Sequence, residues 1–247
     1  MQRGGGPSAP GYAARCTGAS PAATEERSKQ AMTRRLHLAA ALLALASLAG
    51  GAAQAGDVAR GEELYQLCNQ CHGERGEGSQ LALAPAIAGL PEWYVLNQLK
   101  GFRAGYRGQH FDDIPGMRMR PMSLTLKSEE DVAAAAAYVA SLAPVKPAPA
   151  LEGGDAARGQ ALYAPCTACH GPDGAGNQAL GSPPLTHTDD WYQLTQLQHF
   201  KAGIRGAKPG DAGGALMRPM SMTLPDEQAM RDVIAYIITL AQPQAAK

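Results

Sequence analysis

The sequence has few large aromatic side chains, no net charge and no long hydrophobic run. Its 247 residues include three Phe and two Trp, so something other than side chains is expected to fill part of the core. The 22 basic and 22 acidic side chains balance, and no basic stripe of the kind that binds nucleic acid is present. The apolar run 36–49 is too short to span a bilayer comfortably. These absences argue against a nucleic-acid-binding protein and against a transmembrane helix.

The stretch that begins at Met32 has the three parts of a secretory signal peptide. Arg34 and Arg35 supply the positive start, the apolar run follows, and small residues precede a cleavage site after Ala55. We therefore set aside residues 1–55 as an upstream segment and a signal over about 32–55, with an uncleaved anchor as the alternative. The mature protein is expected in an oxidising, extracytoplasmic compartment.

The rest of the chain contains one unit twice, at a constant spacing of 98 residues. GDVARGEELYQLCNQCHGERGEG (56–78) aligns with GDAARGQALYAPCTACHGPDGAG (154–176). MRPMSLTL (119–126) aligns with MRPMSMTL (217–224), without insertions or deletions. Two copies are too few for a solenoid, so we predict two small domains side by side.

We place the N-terminal domain at 56–142 and the C-terminal domain at 154–247. The Pro- and Ala-rich stretch 143–153 between them is expected to be a semi-rigid linker, short enough that the domains touch.

Within each unit the sequence signals are helical, and strand alternation is absent. Asp57 is a plausible N-cap of a first helix, and a second helix is predicted over about 92–102. Ser128, with Asp131 three residues on, begins the last helix in the manner of a capping box, and Asp226 is the corresponding cap in the second copy. The fold class is therefore all-α. A domain of this size with so many loop residues buries little apolar area, so it needs a further stabilising element such as a covalent cross-link or a bound group.

Four of the five cysteines form two C-x-x-C-H motifs. The motifs consist of Cys68, Cys71 and His72 in the first copy, and of Cys166, Cys169 and His170 in the second. Disulfides are the ordinary interpretation for an exported protein. A redox-active pair needs a thioredoxin-like βαβ pattern, which is missing, and structural zinc needs a fourth ligand in each copy.

The remaining interpretation is covalent haem, since C-x-x-C-H is the attachment signature of c-type haem. Two thiols three residues apart lie on one helical turn and can each add to a vinyl group of the porphyrin. The adjacent imidazole, from His72 or His170, then reaches the iron. We predict two covalently bound haem c groups, one in each domain.

With these motifs, each unit resembles a class I c-type cytochrome domain, and the pair resembles the di-haem cytochrome c4 family over about 56–242. The resemblance implies small helical domains, a periplasmic location and electron transfer. It also implies that a methionine from a loop before the last helix is the second axial ligand of each iron.

Two methionines repeat in that loop of each copy. We choose Met119 and Met217, because a Leu follows each of them by seven residues, as in the family pattern. Met122 and Met220 would then lie against the haem edge, and the reverse choice remains open. The resemblance further implies that a carbonyl at Pro85 or Pro183 accepts a hydrogen bond from the ligand histidine. It also implies that the first and last helices cross at a glycine, Gly61 or Gly159.

Other residues carry weaker predictions. Arg120 and Arg218 follow the chosen methionines; each is either a partner for a haem propionate or a solvated arginine. His110, His187 and His199 do not repeat, so we expect surface or loop positions for them. The pair at 112–113 is expected to be part of a solvated acidic face.

The functional prediction is a periplasmic electron carrier rather than an enzyme. Its donor would be a quinol-oxidising complex or a dehydrogenase, and its acceptor a terminal oxidase or reductase, with peripheral membrane association allowed. One alternative is an electron-transfer subunit of a larger membrane-associated oxidase or dehydrogenase. A di-haem peroxidase is a weaker alternative, because such an enzyme needs one iron with an open or displaceable ligand.

Overall fold

The computed structural model describes residues 58–240. This part of the chain contains helices and two isolated β-bridges but no strand. The first repeat contains α1 (58–72), α2 (Glu92–Ala104), α3 (Ile114–Ser123) and α4 (Glu129–Ser141). The second contains α5 (Ala156–Tyr163), α6 (Thr167–His170), α7 (Asp190–Ala202), α8 (Ala212–Met222) and α9 (Glu227–Leu240). The all-α prediction is confirmed; the predicted signal and the cap at Asp57 lie outside the described residues.

The helix that leads into the C-x-x-C-H motif differs between the repeats. α1 continues through the first motif to residue 72, whereas α5 ends at Tyr163 and a 3₁₀ turn over Ala164–Cys166 leads into α6. Pro165 lies in this turn, where Leu67 stands in the first repeat. Proline has no backbone N–H and cannot continue the hydrogen bonds of an α-helix. The interruption therefore has a local cause, and the motif still ends in a helical turn.

The first and last helices of each repeat cross at a glycine, as predicted. A Cβ atom at Gly61 would lie 2.6 Å from the Cβ of Tyr138 and would overlap the carbonyl oxygen of Ala134. A Cβ atom at Gly159 would lie 2.9 Å from the Cβ of Tyr236 and would overlap the backbone of α9. Only glycine lets these helices approach so closely, because it has no Cβ atom.

Each repeat has its own small apolar core. The cores of the first repeat form around Tyr65, Leu90, Val95, Val132 and Val139, and that of the second around Tyr163, Leu194, Val233, Ile234 and Ile237. α4 adds mainly alanines to the first core. Among the described residues, no apolar cluster extends across both repeats.

The predicted helix caps are present where the structure describes them. Ser128 Oγ accepts a hydrogen bond from the backbone N–H of Asp131 at 3.1 Å. Asp226 Oδ1 accepts one from the N–H of Ala229 at 2.8 Å, at the start of the equivalent helix. Asp155 caps α5 in the same way. These side chains satisfy N–H groups that have no partner within the first turn of a helix.

The two segments that carry the methionines are helices, so the expectation of a loop is wrong. Met119 lies in α3 and Met217 in α8, and each helix begins after an aspartate whose carboxylate accepts a backbone N–H, at 2.9 Å for Asp113 and 3.0 Å for Asp211. The expectation that the pair at 112–113 is solvated is also wrong for Asp113, which is buried. Capping explains this burial, because the carboxylate satisfies N–H groups inside the fold.

The two repeats contact each other through polar groups, which confirms the predicted contact. The backbone N–H of Ala86 donates to Asp189 Oδ2 at 2.6 Å. At the exposed rim, Lys208 Nζ donates to Gln109 Oε1 at 3.3 Å. The segment 143–153 has no regular secondary structure. Within 58–240, no helix is long and apolar enough to cross a bilayer.

Candidate functional site

Each C-x-x-C-H motif presents two thiols on one helical face. Cys68 and Cys71 are one turn apart, as are Cys166 and Cys169, and the second thiol of each pair is the more exposed. Burial raises the pKa of Cys68 and of Cys166. All four cysteines are free thiols, so the disulfide interpretation finds no support in the structure. The described residues also contain no group of three or more His, Cys, Asp or Glu side chains that could hold a metal ion.

The histidine of each motif is held in one orientation by a proline carbonyl. His72 Nδ1 lies 2.8 Å from the carbonyl oxygen of Pro85, and His170 Nδ1 lies 2.9 Å from that of Pro183. Because a carbonyl can only accept, Nδ1 must donate, which leaves Nε2 as the unprotonated nitrogen that can bind a metal. Burial lowers the pKa of both histidines, and this hydrogen bond opposes the shift. The prediction for these two prolines is confirmed.

A glycine-rich loop fixes the proline relative to the histidine. The N–H of Gly78 donates to the carbonyl of His72 at 2.8 Å, and Gly176 makes the same bond to His170 at 2.9 Å. Gly78 has a φ of 81° and Gly176 also has a φ of 81°, a region that side chains other than glycine rarely adopt. A Cβ atom at Gly176 would also lie 2.6 Å from the carbonyl carbon of Pro183. The loop therefore closes around the imidazole in the same way in both repeats.

The methionines that were predicted as ligands lie on α3 and α8, which precede the last helix of each repeat along the chain and pack against α2 and α7. Met119 and Met122 are both partly buried in α3, and Met217 and Met220 are both partly buried in α8. Three residues separate the members of each pair, so they lie on one side of their helix. The assignment of Met119 and Met217 as iron ligands stays a prediction.

The donor set fits a covalently bound haem better than a bare metal ion. Each repeat offers two free thiols and one oriented, buried imidazole, and soft thioethers are available on α3 and α8. In addition, Arg120 Nε is buried without a hydrogen-bond partner among the described residues, next to Met119. A haem propionate is a suitable acceptor for such a donor, because a guanidinium matches the geometry of a carboxylate.

The structure reveals a ring of polar side chains at the domain interface that sequence reasoning missed. We call Gln98, Arg107, Gln196 and Arg205 the interface ring. Gln98 Oε1 accepts from Arg107 Nη1 at 2.7 Å and from Arg205 Nη2 at 2.9 Å. Gln196 Oε1 accepts from Arg205 Nη1 at 2.7 Å and from Arg107 Nη2 at 3.2 Å. Both pairs repeat at the spacing of 98 residues, and this repetition was the signal available in the sequence.

His199 is buried at the same interface, so its prediction as a surface or loop residue is wrong. It lies on α7 and is 8% exposed. Its Nδ1 atom lies 3.6 Å from Asp113 Oδ1 of the other repeat. The aligned position in the first repeat is Gly101, which has no side chain to make the reciprocal contact. His199 is therefore not repeated because the interface is asymmetric, and not because the residue lies on the surface.

Comparisons with known proteins agree with this arrangement. The cytochrome c family model matches residues 58–143 and again residues 156–241. Cytochrome c4 of Azotobacter vinelandii is 32% identical over 200 residues, which cover 74% of this chain and 89% of that protein. The thiosulfate dehydrogenase electron acceptor of Stutzerimonas stutzeri (strain A1501) is 31% identical, with 73% of this chain and 82% of that protein covered. The crystal structure of reduced recombinant cytochrome c4 from Pseudomonas stutzeri superposes with a TM-score of 0.58 at 28% identity, covering 73% of this chain and 97% of that chain.

The family match in both halves explains why the thiols, the imidazole and the proline carbonyl recur at the same spacing. Two C-x-x-C-H motifs in two cytochrome c domains correspond to two covalently bound haem c groups. The chain belongs to the cytochrome c family and is a di-haem electron-transfer protein similar to cytochrome c4.

Proposed function

We propose that the protein is a periplasmic electron carrier, without catalytic activity of its own, that moves electrons between components of a respiratory chain. The observation that carries the proposal is the presence of two equivalent sites, each with a buried imidazole oriented by a proline carbonyl. Equivalent sites suit a carrier with two one-electron centres, whereas a peroxidase needs unequal sites. A dehydrogenase or quinol-oxidising complex would reduce it, and a terminal oxidase or reductase would oxidise it.

The proposed site residues are those predicted from the sequence. Cys68 and Cys71, with Cys166 and Cys169 in the second domain, would form the thioether links. His72 and His170 would bind one face of each iron, and Met119 and Met217 the other. When bound, the haem supplies a one-electron couple, and a thioether ligand opposite imidazole raises its potential relative to two imidazoles.

The chain's own residues perform three tasks in this proposal. The hydrogen bond from each ligand histidine to a proline carbonyl orients the ring and raises its basicity as a ligand. The crossing at Gly61 or Gly159 brings the first and last helices together around the motif. The polar contacts between the repeats hold the two domains next to each other, which favours electron exchange between them. We place the domains at 56–142 and 154–247.

The second candidate is an electron-transfer partner or subunit of a larger enzyme. Its support is the similarity to a protein named as the electron acceptor of thiosulfate dehydrogenase. The sites within this chain would be the same, and the difference would lie in the partner. Co-purification with a dehydrogenase, an oxidase or membranes from the native source would favour this candidate over a free carrier.

The proposed function is tested with protein produced in a host that exports and matures c-type cytochromes. The pyridine haemochrome assay should give two haem groups per chain, and the reduced protein should show a low-spin c-type spectrum. Reduced protein should be oxidised rapidly by an oxidised c-type cytochrome and should not turn over hydrogen peroxide. A colourless mature protein, or rapid peroxide turnover, would contradict the proposal.

A further inference from the structure

A carboxylate of the second repeat contacts the peptide group that orients the motif histidine of the first repeat. The backbone N–H of Ala86 donates to Asp189 Oδ2 at 2.6 Å. This N–H belongs to the same peptide unit as the carbonyl of Pro85, which accepts the hydrogen bond from His72 Nδ1 at 2.8 Å. One peptide group therefore joins the imidazole of the first repeat to a carboxylate of the second.

Asp189 makes this contact instead of capping its own helix. It occupies the N-cap position of α7, where an aspartate normally accepts backbone N–H groups of the first turn. Its side chain makes no such bond, in contrast to Asp113 and Asp211, which cap α3 and α8. The bond to Ala86 is also short, as expected when the acceptor is charged. The carboxylate therefore serves the neighbouring domain rather than the helix that carries it.

This chain of hydrogen bonds is shielded from water. His72 is 5% exposed and Ala86 is 2% exposed, while Asp189 is partly buried. In such an environment, linked hydrogen bonds polarise and strengthen one another. The N–H and C=O of a peptide are conjugated, so a carboxylate at the N–H makes the carbonyl oxygen a better acceptor. A better acceptor at Nδ1 makes the imidazole a more basic ligand through Nε2.

The second repeat cannot form the equivalent chain. His170 Nδ1 lies 2.9 Å from the carbonyl oxygen of Pro183, but the counterpart of Ala86 is Pro184. Proline has no backbone N–H, so this peptide has nothing to donate. The counterpart of Asp189 in the first repeat is Pro91, which has no carboxylate. Both members of the contact are missing in the reverse direction, so the two motif histidines have unequal surroundings.

We propose that Asp189 is a positioning residue that acts through the Pro85–Ala86 peptide to make His72 a stronger ligand and to lower the reduction potential of the N-terminal haem. The sign follows because a more basic imidazole stabilises oxidised iron more than reduced iron. The C-terminal haem has no such control, so contact between the domains acts on one potential only. This inference rests on the proposed function, since it needs a haem that is bound by His72.

The test uses Asp189→Asn in the haem-loaded protein, because asparagine keeps an oxygen acceptor for the N–H and loses the charge. After the haems have been counted, spectroelectrochemistry should show a higher potential for the N-terminal haem and an unchanged one for the C-terminal haem. The expected change is about threefold in the reduction equilibrium, or about 28 mV at 59 mV per tenfold change.

NMR of the reduced protein reads the hydrogen bond itself. In Asp189→Asn, the Nδ1 proton of His72 should shift upfield, as expected for a weaker hydrogen bond. The Nδ1 proton of His170 belongs to the other domain and should keep its position. Because a loss of packing alone would not change the bond from His72, this signal separates a positioning role from a structural one.

A second variant removes the other member of the contact. Ala86→Pro gives the first repeat the peptide that the second repeat already has, with the carbonyl of Pro85 retained and the N–H removed. It should raise the same potential as Asp189→Asn. The two changes combined should give no larger shift than either alone, because they break one and the same contact.

The matched control is Asp190→Asn, which removes the neighbouring carboxylate. This side chain accepts the backbone N–H groups of Ala150 and Leu151, at 2.7 and 2.9 Å, and makes no bond to the Pro85–Ala86 peptide. Its replacement should leave the Nδ1 signal of His72 unchanged. An equal rise in potential in Asp189→Asn and Asp190→Asn, without a change in that signal, would show that charge acts through space and would overturn the proposal.

The remaining outcomes are also decisive. Unchanged potentials and an unchanged His72 signal in Asp189→Asn, with lower stability, would make the contact a brace between the domains only. Additive shifts in the combined variant would contradict the route through the peptide. Fewer than two haems in the wild type would contradict the proposed function instead. If Ala86→Pro does not fold, the His72 signal in Asp189→Asn decides the question by itself.

Discussion

His199 and Asp113 form a buried pair across the two repeats, with 3.6 Å between Nδ1 and Oδ1. The pair has no counterpart in the other half of the interface, where Gly101 takes the place of the histidine. Two domains that arise from one repeated unit therefore meet through an unequal contact. This asymmetry places a titratable histidine of the second repeat against a carboxylate of the first.

The first prediction concerns the pH dependence of stability. Burial lowers the pKa of His199 below its ordinary 6.5; Asp113 opposes the shift, and Arg107 and Arg205 add to it. The unfolded chain therefore binds a proton more readily than the folded protein, so stability is complete above about pH 6.5 and falls as the pH drops. As the pH falls from 8 to 5, the unfolding temperature of the haem-loaded protein should decrease less for His199→Gln than for the wild type.

The control for this prediction is His187→Gln, since His187 lies in a turn and is not among the groups that shift the pKa of His199. Its unfolding temperature should follow the wild-type dependence on pH. If the unfolding temperature decreases with falling pH as steeply in His199→Gln as in the wild type, the buried pair does not couple protonation to folding.

The second prediction concerns a buried carboxylate in the second repeat. Hydrogen bonds from Arg158 to Asp232, at 2.8 and 3.0 Å, lower the pKa of this aspartate to about 2. Its contribution to stability is present above the ordinary value of 3.8 and is lost as the pH falls toward 2. At neutral pH, Asp232→Asn should lower the free energy of unfolding by about 1.5–3 kcal/mol, as expected for hydrogen bonds to a charged group.

The measurement is chemical unfolding at pH 7 and at low pH. The difference between Asp232→Asn and the wild type should shrink as the pH approaches 2. Asp131→Asn is the matched control in the first repeat, where the aspartate side chain is 17% exposed against 4% for Asp232, and its cost should stay below about 1 kcal/mol. A cost for Asp232→Asn that does not change with pH would contradict the assignment.

The third prediction concerns the axial methionines. Met119→Ala or Met217→Ala should remove half of the absorption band at the red end of the oxidised spectrum, because each change breaks one iron–sulfur bond. The potential of the affected haem should fall as well, since a thioether favours reduced iron. Met122→Ala and Met220→Ala are the controls and should keep the full band. If the band is lost in these controls instead, the iron ligands are Met122 and Met220.

The fourth prediction concerns the helix crossing. Gly61→Ala places a methyl group against Ala134 and Tyr138, so we expect it to lower the free energy of unfolding by about 2–3 kcal/mol. Gly213→Ala is the control, because no other heavy atom lies within 4 Å of a Cβ atom at this position in α8. It should raise the stability by up to about 1 kcal/mol through helix propensity. Similar losses in both variants would show that the crossing is not the cause.

Local features of the fold could be predicted from the sequence. The caps at Ser128 and Asp226, the hydrogen bonds to Pro85 and Pro183, and the glycine crossings lie where the repeat and the family pattern indicated. Each depends on groups close in sequence or on packing within one unit that occurs twice. The location of the methionines in helices was missed, because the family pattern was taken to place the ligand in a loop before the last helix. In α3 the aspartate cap and helical hydrogen bonds persist despite Pro121.

By itself, the sequence determined the repeat, the two attachment motifs and the residues able to hold a haem in each copy, because covalent chemistry and helical spacing are local properties. Only the tertiary structure decided how the copies face each other. It buried His199 against Asp113 and joined Arg107 to Arg205 through Gln98 and Gln196. Such contacts form between residues that are about a hundred positions apart in the chain. No local sequence pattern indicates which of these side chains will be buried at the interface.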